Sequence, residues 1–123
     1  MKILIADDET EIRTALETIV RSAGHQTVLA LDGAEALEQL SRGAFDLALL
    51  DISMPKVDGY ETLKQIRAAG NKMPVVFITG SGESKKVAQS IAQDRLNGFI
   101  EKPFTPEKVL EIVSKTLVKR AEL

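Results

Sequence analysis

Charged and hydroxyl side chains follow several short apolar segments of this chain, at the positions where strands would end. These residues are Asp7, Asp8, Asp51, Thr79 and Lys102. In open α/β sheets, ligands bind in the crevice at the carboxyl ends of the strands, so these side chains are expected to meet. An aspartate beside further acids and an amine indicates phosphoryl transfer onto that aspartate, and we predict Asp51 as the acceptor.

Three carboxylates in one place require positive charge. Two unit charges about 4 Å apart repel by roughly 4 kcal/mol at an effective dielectric constant near 20. Lys102 supplies one positive charge, and a divalent cation would supply two more. We predict Mg²⁺, with Mn²⁺ as the alternative ion, because Mg²⁺ binds through one or two carboxylates, water and phosphate oxygens. The cluster of Asp7, Asp8 and Asp51 offers these oxygen ligands without histidine or cysteine.

The elements that must position these residues are short apolar segments alternating with amphipathic ones. This alternation is typical of repeated βαβ units, in which helices cover both faces of a parallel sheet. The predicted strands are Ile3 to Ala6, Thr27 to Ala30, Leu47 to Leu50, Val75 to Ile78 and Gly98 to Ile100. The fifth strand has the weakest apolar signal, because it is the shortest.

Helical spacing of apolar residues predicts five helices between and after the strands. The first ends before Gly24, the second covers Ala34 to Leu40, the third follows Gly59 and ends at Gly70, the fourth begins at Ser84, and the fifth opens at Thr105-Pro106. Thr105 is predicted to cap the fifth helix, since proline is favoured at the first helical position and threonine just before it.

The motifs occur in an order that resembles a response-regulator receiver domain. They are Asp7-Asp8 after the first strand, Asp51 with Met54-Pro55 and Gly59 after the third, Thr79-Gly80 after the fourth, and Lys102-Pro103-Phe104 after the fifth. The resemblance covers nearly the whole chain. It implies a doubly wound, flavodoxin-like α/β fold with a five-stranded parallel sheet of order 2-1-3-4-5 and five helices. It also implies a single receiver domain over residues 1–123 and a cis Lys102-Pro103 peptide bond.

The resemblance assigns the nucleophile and the metal ligands. Asp51 would be the phosphoacceptor and also a metal ligand. Asp8 would bind the ion directly, and Asp7 would bind it through a water molecule. The backbone carbonyl of Ser53 would complete the metal shell.

The resemblance also assigns the residues that bind phosphate and respond to it. Lys102 and Thr79 would contact the phosphoryl oxygens as charge develops on them. Thr79 and Phe99 would form the switch, because the hydroxyl moves to the phosphate while the aromatic ring turns inward. Burying the Phe99 ring is worth roughly 1.5–3 kcal/mol, enough to bias two conformers.

A receiver of this type takes part in two-component signalling as a phospho-acceptor, not as an enzyme. The expected donor is a phosphohistidine on a sensor histidine kinase or a histidine phosphotransferase. The expected output is a downstream protein target, which binds a surface near helix 4, strand 5 and helix 5. We expect a monomer or a weak dimer linked to phosphorylation. A stand-alone regulator is expected, and a receiver excised from a larger regulator or hybrid kinase is the alternative.

Composition excludes several other classes of function. The chain of 123 residues has 16 basic and 18 acidic side chains and no cysteine. A net charge of −2 gives no electrostatic basis for binding nucleic acid or an anionic membrane. The lack of cysteine removes disulfides and thiolate metal sites. No apolar segment approaches the roughly 20 residues of a membrane span, so we predict a cytoplasmic protein.

Other interpretations of the same residues are weaker. In one of them, Asp7 and Asp8 simply cap the first helix, since Asp8 stands three residues before Glu11 in a capping arrangement. An aspartate-nucleophile phosphohydrolase would resemble Asp-x-Asp, whereas this chain has Asp51-Ile-Ser53. A nucleotide or flavin site would need a phosphate-binding loop after the first strand, where the acids repel phosphate. A receiver-shaped binding module that is never phosphorylated stays as a further alternative.

Overall fold

The computed structural model describes residues 1–80, residue 89 and residues 98–121. One parallel sheet of five strands forms its centre, in the order β2-β1-β3-β4-β5. The strands are β1 (Lys2–Ala6), β2 (Gln26–Ala30), β3 (Leu47–Asp51), β4 (Val75–Thr79) and β5 (Gly98–Glu101). The predicted fold class and strand order are confirmed. Every strand is longer than predicted, because polar end residues such as Asp51 and Thr79 continue the backbone pairing.

Alternate residues along the inner strands β1, β3 and β4 enter two separate cores, one on each face of the sheet. In β1, Ile3 and Ile5 belong to one core, whereas Leu4 and Ala6 belong to the other. β3 is buried along its whole length because it lies in the middle of the sheet. This explains why the sequence of β3 is a continuous apolar segment rather than an alternating one.

Four described helices cover the sheet: α1 (Thr10–Ser22), α2 (Gly33–Arg42), α3 (Gly59–Ala68) and a C-terminal helix (Pro106–Ala121). α1 and the C-terminal helix pack on one face, with Leu16 and Val113 in that core. α2 and α3 pack on the other, with Ala36 and Ile66. The predicted fourth helix, from Ser84, lies outside the described residues. None of the helices in the described part of the chain has the length and apolar character of a membrane span.

Side-chain caps fix where three of these helices begin. The Asp32 carboxylate accepts a hydrogen bond from the Glu35 N–H at 2.8 Å, and the Asp58 carboxylate accepts one from the Glu61 N–H at 2.9 Å. Thr105 Oγ1 accepts from the Lys108 N–H at 3.2 Å, which confirms the predicted cap. These caps satisfy N–H groups that have no partner within the helix. α2 starts at Gly33, one residue before its predicted start, and ends at Arg42, two residues beyond Leu40. Its C-cap is Gly43, the residue predicted to end it.

Candidate active site at the carboxyl edge of the sheet

The predicted site residues meet at one edge of the sheet because parallel strands end on the same side. Asp51 is the last residue of β3, and Thr79 is the last residue of β4. Asp7 directly follows β1, and Lys102 directly follows β5. The Lys102 N–H donates to the Thr79 carbonyl at 2.7 Å, which ties the end of β5 to the end of β4. The Lys102-Pro103 peptide bond is cis.

Three carboxylates form a compact group at this edge. One oxygen from each of Asp7, Asp8 and Asp51 lies within 4.8 Å of the other two. Asp7 and Asp51 are buried, whereas Asp8 is exposed. Within the described part of the chain, the buried Asp7 Oδ2 has no hydrogen-bond partner. A buried carboxylate oxygen without a donor is costly, and a hard cation would satisfy it. The donor set therefore fits Mg²⁺.

The Lys102 amine approaches the same carboxylates from β5. Its Nζ lies 3.5 Å from Asp51 Oδ2, 3.9 Å from Asp7 Oδ2 and 3.8 Å from Glu9 Oε1. The side chain is mostly buried, with 24% of its surface exposed. Its charge is therefore less screened by water than that of a surface lysine. The amine is placed to attract the oxygens of any anion that reaches Asp51.

Thr79 brings a hydroxyl to the end of β4, the strand that pairs with β3 and its terminal Asp51. Its side chain is fully buried, and Oγ1 has no hydrogen-bond partner among the described residues. A buried hydroxyl is normally hydrogen-bonded, so one without a partner is available to an incoming ligand. Phe99, two residues before the end of β5, points outward, with 37% of its surface exposed. This is the outward position from which the predicted inward turn would start.

Comparison with known proteins agrees with this arrangement. The sequence model of the response regulator receiver domain matches residues 3–114. The chain belongs to the response-regulator receiver family. It is 37% identical over 118 residues to the chemotaxis protein CheY-3 of Vibrio cholerae, covering 94% of this chain and 90% of that protein. The crystal structure of the receiver domain of NtrX from Brucella abortus superimposes with a TM-score of 0.87 at 32% identity, covering 94% of this chain and 97% of that one.

Other relatives of this receiver are longer proteins. The transcriptional regulatory protein DltR of Streptococcus agalactiae is 35% identical over 117 residues, which are 89% of this chain and 49% of DltR. The chain thus spans about half the length of the first curated relatives it matches. Receivers are the phospho-accepting domains of two-component systems, and an acidic pocket that binds Mg²⁺ is a general feature of the family.

Burial dominates the electrostatics of the receiver site. It raises the pKa of Asp7 from 3.8 to about 6, and the nearby Asp51 charge acts in the same direction. Burial also raises the pKa of Asp51, although Lys102 opposes that effect. Burial alone would lower the pKa of Lys102, but the carboxylates of Asp51, Asp7 and Glu9 outweigh it and raise the pKa. Without a metal ion, the site therefore holds more negative charge than its surroundings stabilise.

We predict that Asp7→Asn stabilises the metal-free protein. The pKa of Asp7 is higher in the folded state than its ordinary value, so the folded protein binds more protons between pH 4 and pH 6. Its stability falls as the pH rises through this range, and the cost is fully present at pH 7. Asp7→Asn should raise the free energy of unfolding at pH 7 in EDTA by about 2 kcal/mol, and by much less at pH 4.

Urea denaturation at the two pH values measures this effect. Asp58→Asn is the matched control, because Asp58 is exposed and asparagine caps a helix as well as aspartate does. The control should change the stability by less than about 0.5 kcal/mol at either pH. An Asp7→Asn protein that is less stable than wild type at pH 7 would contradict the electrostatic account.

Gly59 allows α3 to start directly against the end of β3. A Cβ atom at this position would lie 2.6 Å from the Asp51 carbonyl oxygen and 2.9 Å from Ile52 Cα. Both neighbours are backbone atoms of the segment that carries Asp51. The Gly59 N–H donates to the Ile52 carbonyl at 2.9 Å, which holds the two segments together. Glycine is required here by the close approach of the two backbones.

Gly59→Ala should therefore destabilise the receiver by about 2–3 kcal/mol, because the backbone at Asp51 must shift to admit the methyl group. Thermal or urea denaturation measures the loss. Gly43→Ala is the control, since a Cβ there meets only the flexible Lys2 amine at 3.5 Å. Equal effects of the two substitutions would show that the approach of α3 to Asp51 is not constrained as described.

The alternative in which Asp8 caps α1 is not what the structure shows. α1 begins at Thr10, so its N-cap residue is Glu9, and no side chain caps it. Instead, Asp7 Oδ1 accepts a hydrogen bond from the Glu9 N–H at 2.8 Å. The exposed carboxylate of Asp8 instead belongs to the cluster that it forms with Asp7 and Asp51.

Sequence reasoning missed two neighbours of the site, Glu9 and Arg13. Glu9 lies 3.8 Å from the Lys102 amine, and Arg13 Nη1 donates to the Asp7 carbonyl at 2.7 Å. The sequence indicates only that both residues lie near the start of the helix that follows Asp7, and it carries no signal for the contacts themselves. Ser53 was predicted to act through its carbonyl. In the structure, the Ser53 N–H donates a hydrogen bond to Asp51 Oδ1 at 3.3 Å. The role of the Ser53 carbonyl in metal binding stays a prediction.

Proposed function

We propose that this receiver accepts a phosphoryl group on Asp51, in a Mg²⁺-dependent transfer from a phosphohistidine. The observation that carries the proposal is the environment of Asp51. The residue is 3% exposed, and its carboxylate lies 3.5 Å from the Lys102 amine and shares an oxygen cluster with Asp7 and Asp8. A nucleophilic carboxylate, a cation and a metal-binding set together supply what phosphoryl transfer requires.

The proposed transfer forms one bond and breaks one bond. A carboxylate oxygen of Asp51 attacks the phosphorus atom, an oxygen–phosphorus bond forms, and the bond between phosphorus and the donor histidine nitrogen breaks. The histidine nitrogen keeps the electron pair of the broken bond. The transition state spreads negative charge over three equatorial oxygens, so catalysis is mainly positioning and electrostatic stabilisation.

The other site residues act on that charge. Lys102 and the Thr79 hydroxyl, which has no hydrogen-bond partner among the described residues, would donate to the phosphoryl oxygens. Asp8, Asp51 and the Ser53 carbonyl would hold Mg²⁺ directly, with Asp7 bound through water. When bound, the ion neutralises carboxylate charge and orients the phosphoryl group. Mn²⁺ would serve the same role.

Phosphorylation would then switch a surface for protein contacts. The Thr79 hydroxyl would move towards the phosphate, and the exposed ring of Phe99 would turn inward into the space it vacates. The partners would be a sensor histidine kinase or histidine phosphotransferase as donor and a downstream protein as target. In this proposal residues 1–123 act as one receiver domain, and the receiver is a phospho-acceptor that assists its own phosphorylation.

Intact mass spectrometry after incubation with acetyl phosphate tests the proposal. We expect a gain of about 80 Da, the mass of one phosphoryl group, in the presence of Mg²⁺ and none in EDTA. A protein that gains no mass with Mg²⁺ is then tested with a phosphorylated histidine phosphotransferase. No gain from either donor would reject the proposal and favour a receiver-shaped binding module.

A further inference from the structure

Asp7 is held by three of its four polar atoms, and the fourth faces the carboxylate cluster. Its N–H donates to the Ala30 carbonyl at 3.2 Å, and Oδ1 accepts from the Glu9 N–H at 2.8 Å. Its carbonyl oxygen accepts from Arg13 Nη1 at 2.7 Å. Oδ2, which has no hydrogen-bond partner in the described part of the chain, lies 3.9 Å from the Lys102 amine.

Among these described partners of Asp7, Arg13 is the one that bonds through its side chain, since Ala30 and Glu9 bond through their backbones. The guanidinium is itself oriented, because Nη2 donates to Thr10 Oγ1 at 3.3 Å while the backbone N–H donates to the Glu9 carbonyl at 3.0 Å. Arg13 is half-buried, on the first part of α1. A charged donor makes a stronger hydrogen bond to a carbonyl than a neutral one does. The hydrogen bond from Arg13 therefore joins α1 to Asp7, whose Oδ2 has no hydrogen-bond partner in the described part of the chain.

We propose that Arg13 is a positioning residue for the metal site: by holding the Asp7 carbonyl, it fixes the direction of Asp7 Oδ2 and thereby sets the Mg²⁺ affinity of the receiver. The inference rests on the proposed Mg²⁺ site. Residues that orient metal ligands from outside the ligand shell commonly change the affinity by tenfold or more when they are replaced. The positive charge of Arg13 alone would weaken cation binding, so a loss of affinity on removing it must come from lost positioning.

Calorimetric titration with MgCl₂, without any phosphodonor, tests this directly. Arg13→Met keeps the length of the apolar stem and removes the donors. We expect its Mg²⁺ dissociation constant to rise about tenfold. Arg21→Met is the matched control, because Arg21 is exposed on the last turn of α1 and its loss changes the net charge equally. The control should keep the wild-type affinity.

A kinetic measurement separates positioning from a merely structural role. With acetyl phosphate as donor, the Mg²⁺ concentration that gives half the maximal phosphorylation rate should rise about tenfold in Arg13→Met, while the rate at saturating Mg²⁺ stays within about twofold of wild type. Should Arg13→Met fail to fold, Arg13→Lys gives the same comparison, because it keeps the charge and one donor. Its expected dissociation constant is at least about threefold above wild type.

Two outcomes would overturn the inference. One is an Mg²⁺ dissociation constant in both Arg13 variants that stays within twofold of wild type. The other is an equal loss of affinity in Arg21→Met, which would indicate a general effect of replacing an arginine on α1 rather than the loss of the Arg13 contact with Asp7. A wild-type protein that binds Mg²⁺ but is not phosphorylated would contradict the proposed function alone, since the calorimetric comparison does not depend on transfer.

Discussion

Replacing Asp51 with asparagine is expected to abolish phosphoryl uptake from acetyl phosphate in the presence of Mg²⁺. The side-chain amide of asparagine is not a nucleophile, so no acyl phosphate can form at this position. The substitution keeps the size of the side chain and removes a buried charge at a position that is 3% exposed. The folded protein should therefore persist, and the intact mass should show no gain after incubation with donor and Mg²⁺.

The control for Asp51→Asn is again Asp58→Asn. Asp58 is an exposed carboxylate in the segment after β3, and asparagine preserves the cap on α3. This variant should take up phosphate at close to the wild-type rate. Uptake by Asp51→Asn at more than a small fraction of that rate would place the acceptor at another side chain.

Replacing Lys102 with methionine should lower the phosphorylation rate by about a hundredfold to a thousandfold at saturating Mg²⁺. The amine lies 3.5 Å from Asp51 Oδ2, where charge would develop on the phosphoryl oxygens in the proposed transfer. Methionine fills much of the volume of the lysine stem but donates no hydrogen bond. Initial rates measured by intact mass, with acetyl phosphate as donor, give the size of the loss.

Lys102→Met should slow phosphorylation without weakening Mg²⁺ binding, which distinguishes it from a variant that disrupts the whole site. Removing the amine leaves Asp7 and Asp51 with more uncompensated negative charge, so Mg²⁺ should bind at least as tightly as in wild type. Lys108→Met, at an exposed position of the C-terminal helix, is the control and should leave the rate unchanged. A Lys102→Met protein that keeps its rate within threefold of wild type would contradict the assigned role.

The sequence was sufficient to predict the sheet, because its three inner strands, β1, β3 and β4, are apolar on both faces. Segments such as Leu47 to Leu50 stand out when a strand is buried by helices on either side. The ends were less predictable, since Asp51 and Thr79 pair through their backbones whatever their side chains are. Apolar patterning reports burial and carries no signal for such terminal pairing.

The meeting of the predicted site residues could also be inferred, because the carboxyl ends of parallel strands lie at the same edge of the sheet. Asp7, Asp8, Asp51 and Lys102 come together for that reason. The contact of Arg13 with the Asp7 carbonyl could not be inferred, because it depends on the start of α1 and on the rotamer of a long side chain. The Asp8 cap was wrong for a related reason: α1 starts at Thr10, so Glu9 occupies the N-cap position.

The backbone conformation after Asp51 is a further feature that could not be predicted from the sequence. Lys56 has a φ of 67°, which is uncommon for any residue other than glycine. The Val57 N–H donates to the Pro55 carbonyl at 2.8 Å across this turn. The Val57 carbonyl packs against Gly33 at the start of α2, where a Cβ would clash. The conformation is thus determined by contacts between distant segments.

Chemical localisation of the phosphoryl group tests the central claim most directly. Borohydride reduces an aspartyl phosphate to homoserine, which marks the acceptor before digestion with trypsin. Asp51 lies on the tryptic peptide of residues 43–56, whereas Asp7 and Asp8 lie on the peptide of residues 3–13. We predict homoserine at Asp51 and an unchanged peptide 3–13. Homoserine at Asp7 or Asp8, or an unmodified Asp51 in protein that has gained a phosphoryl group, would contradict the account.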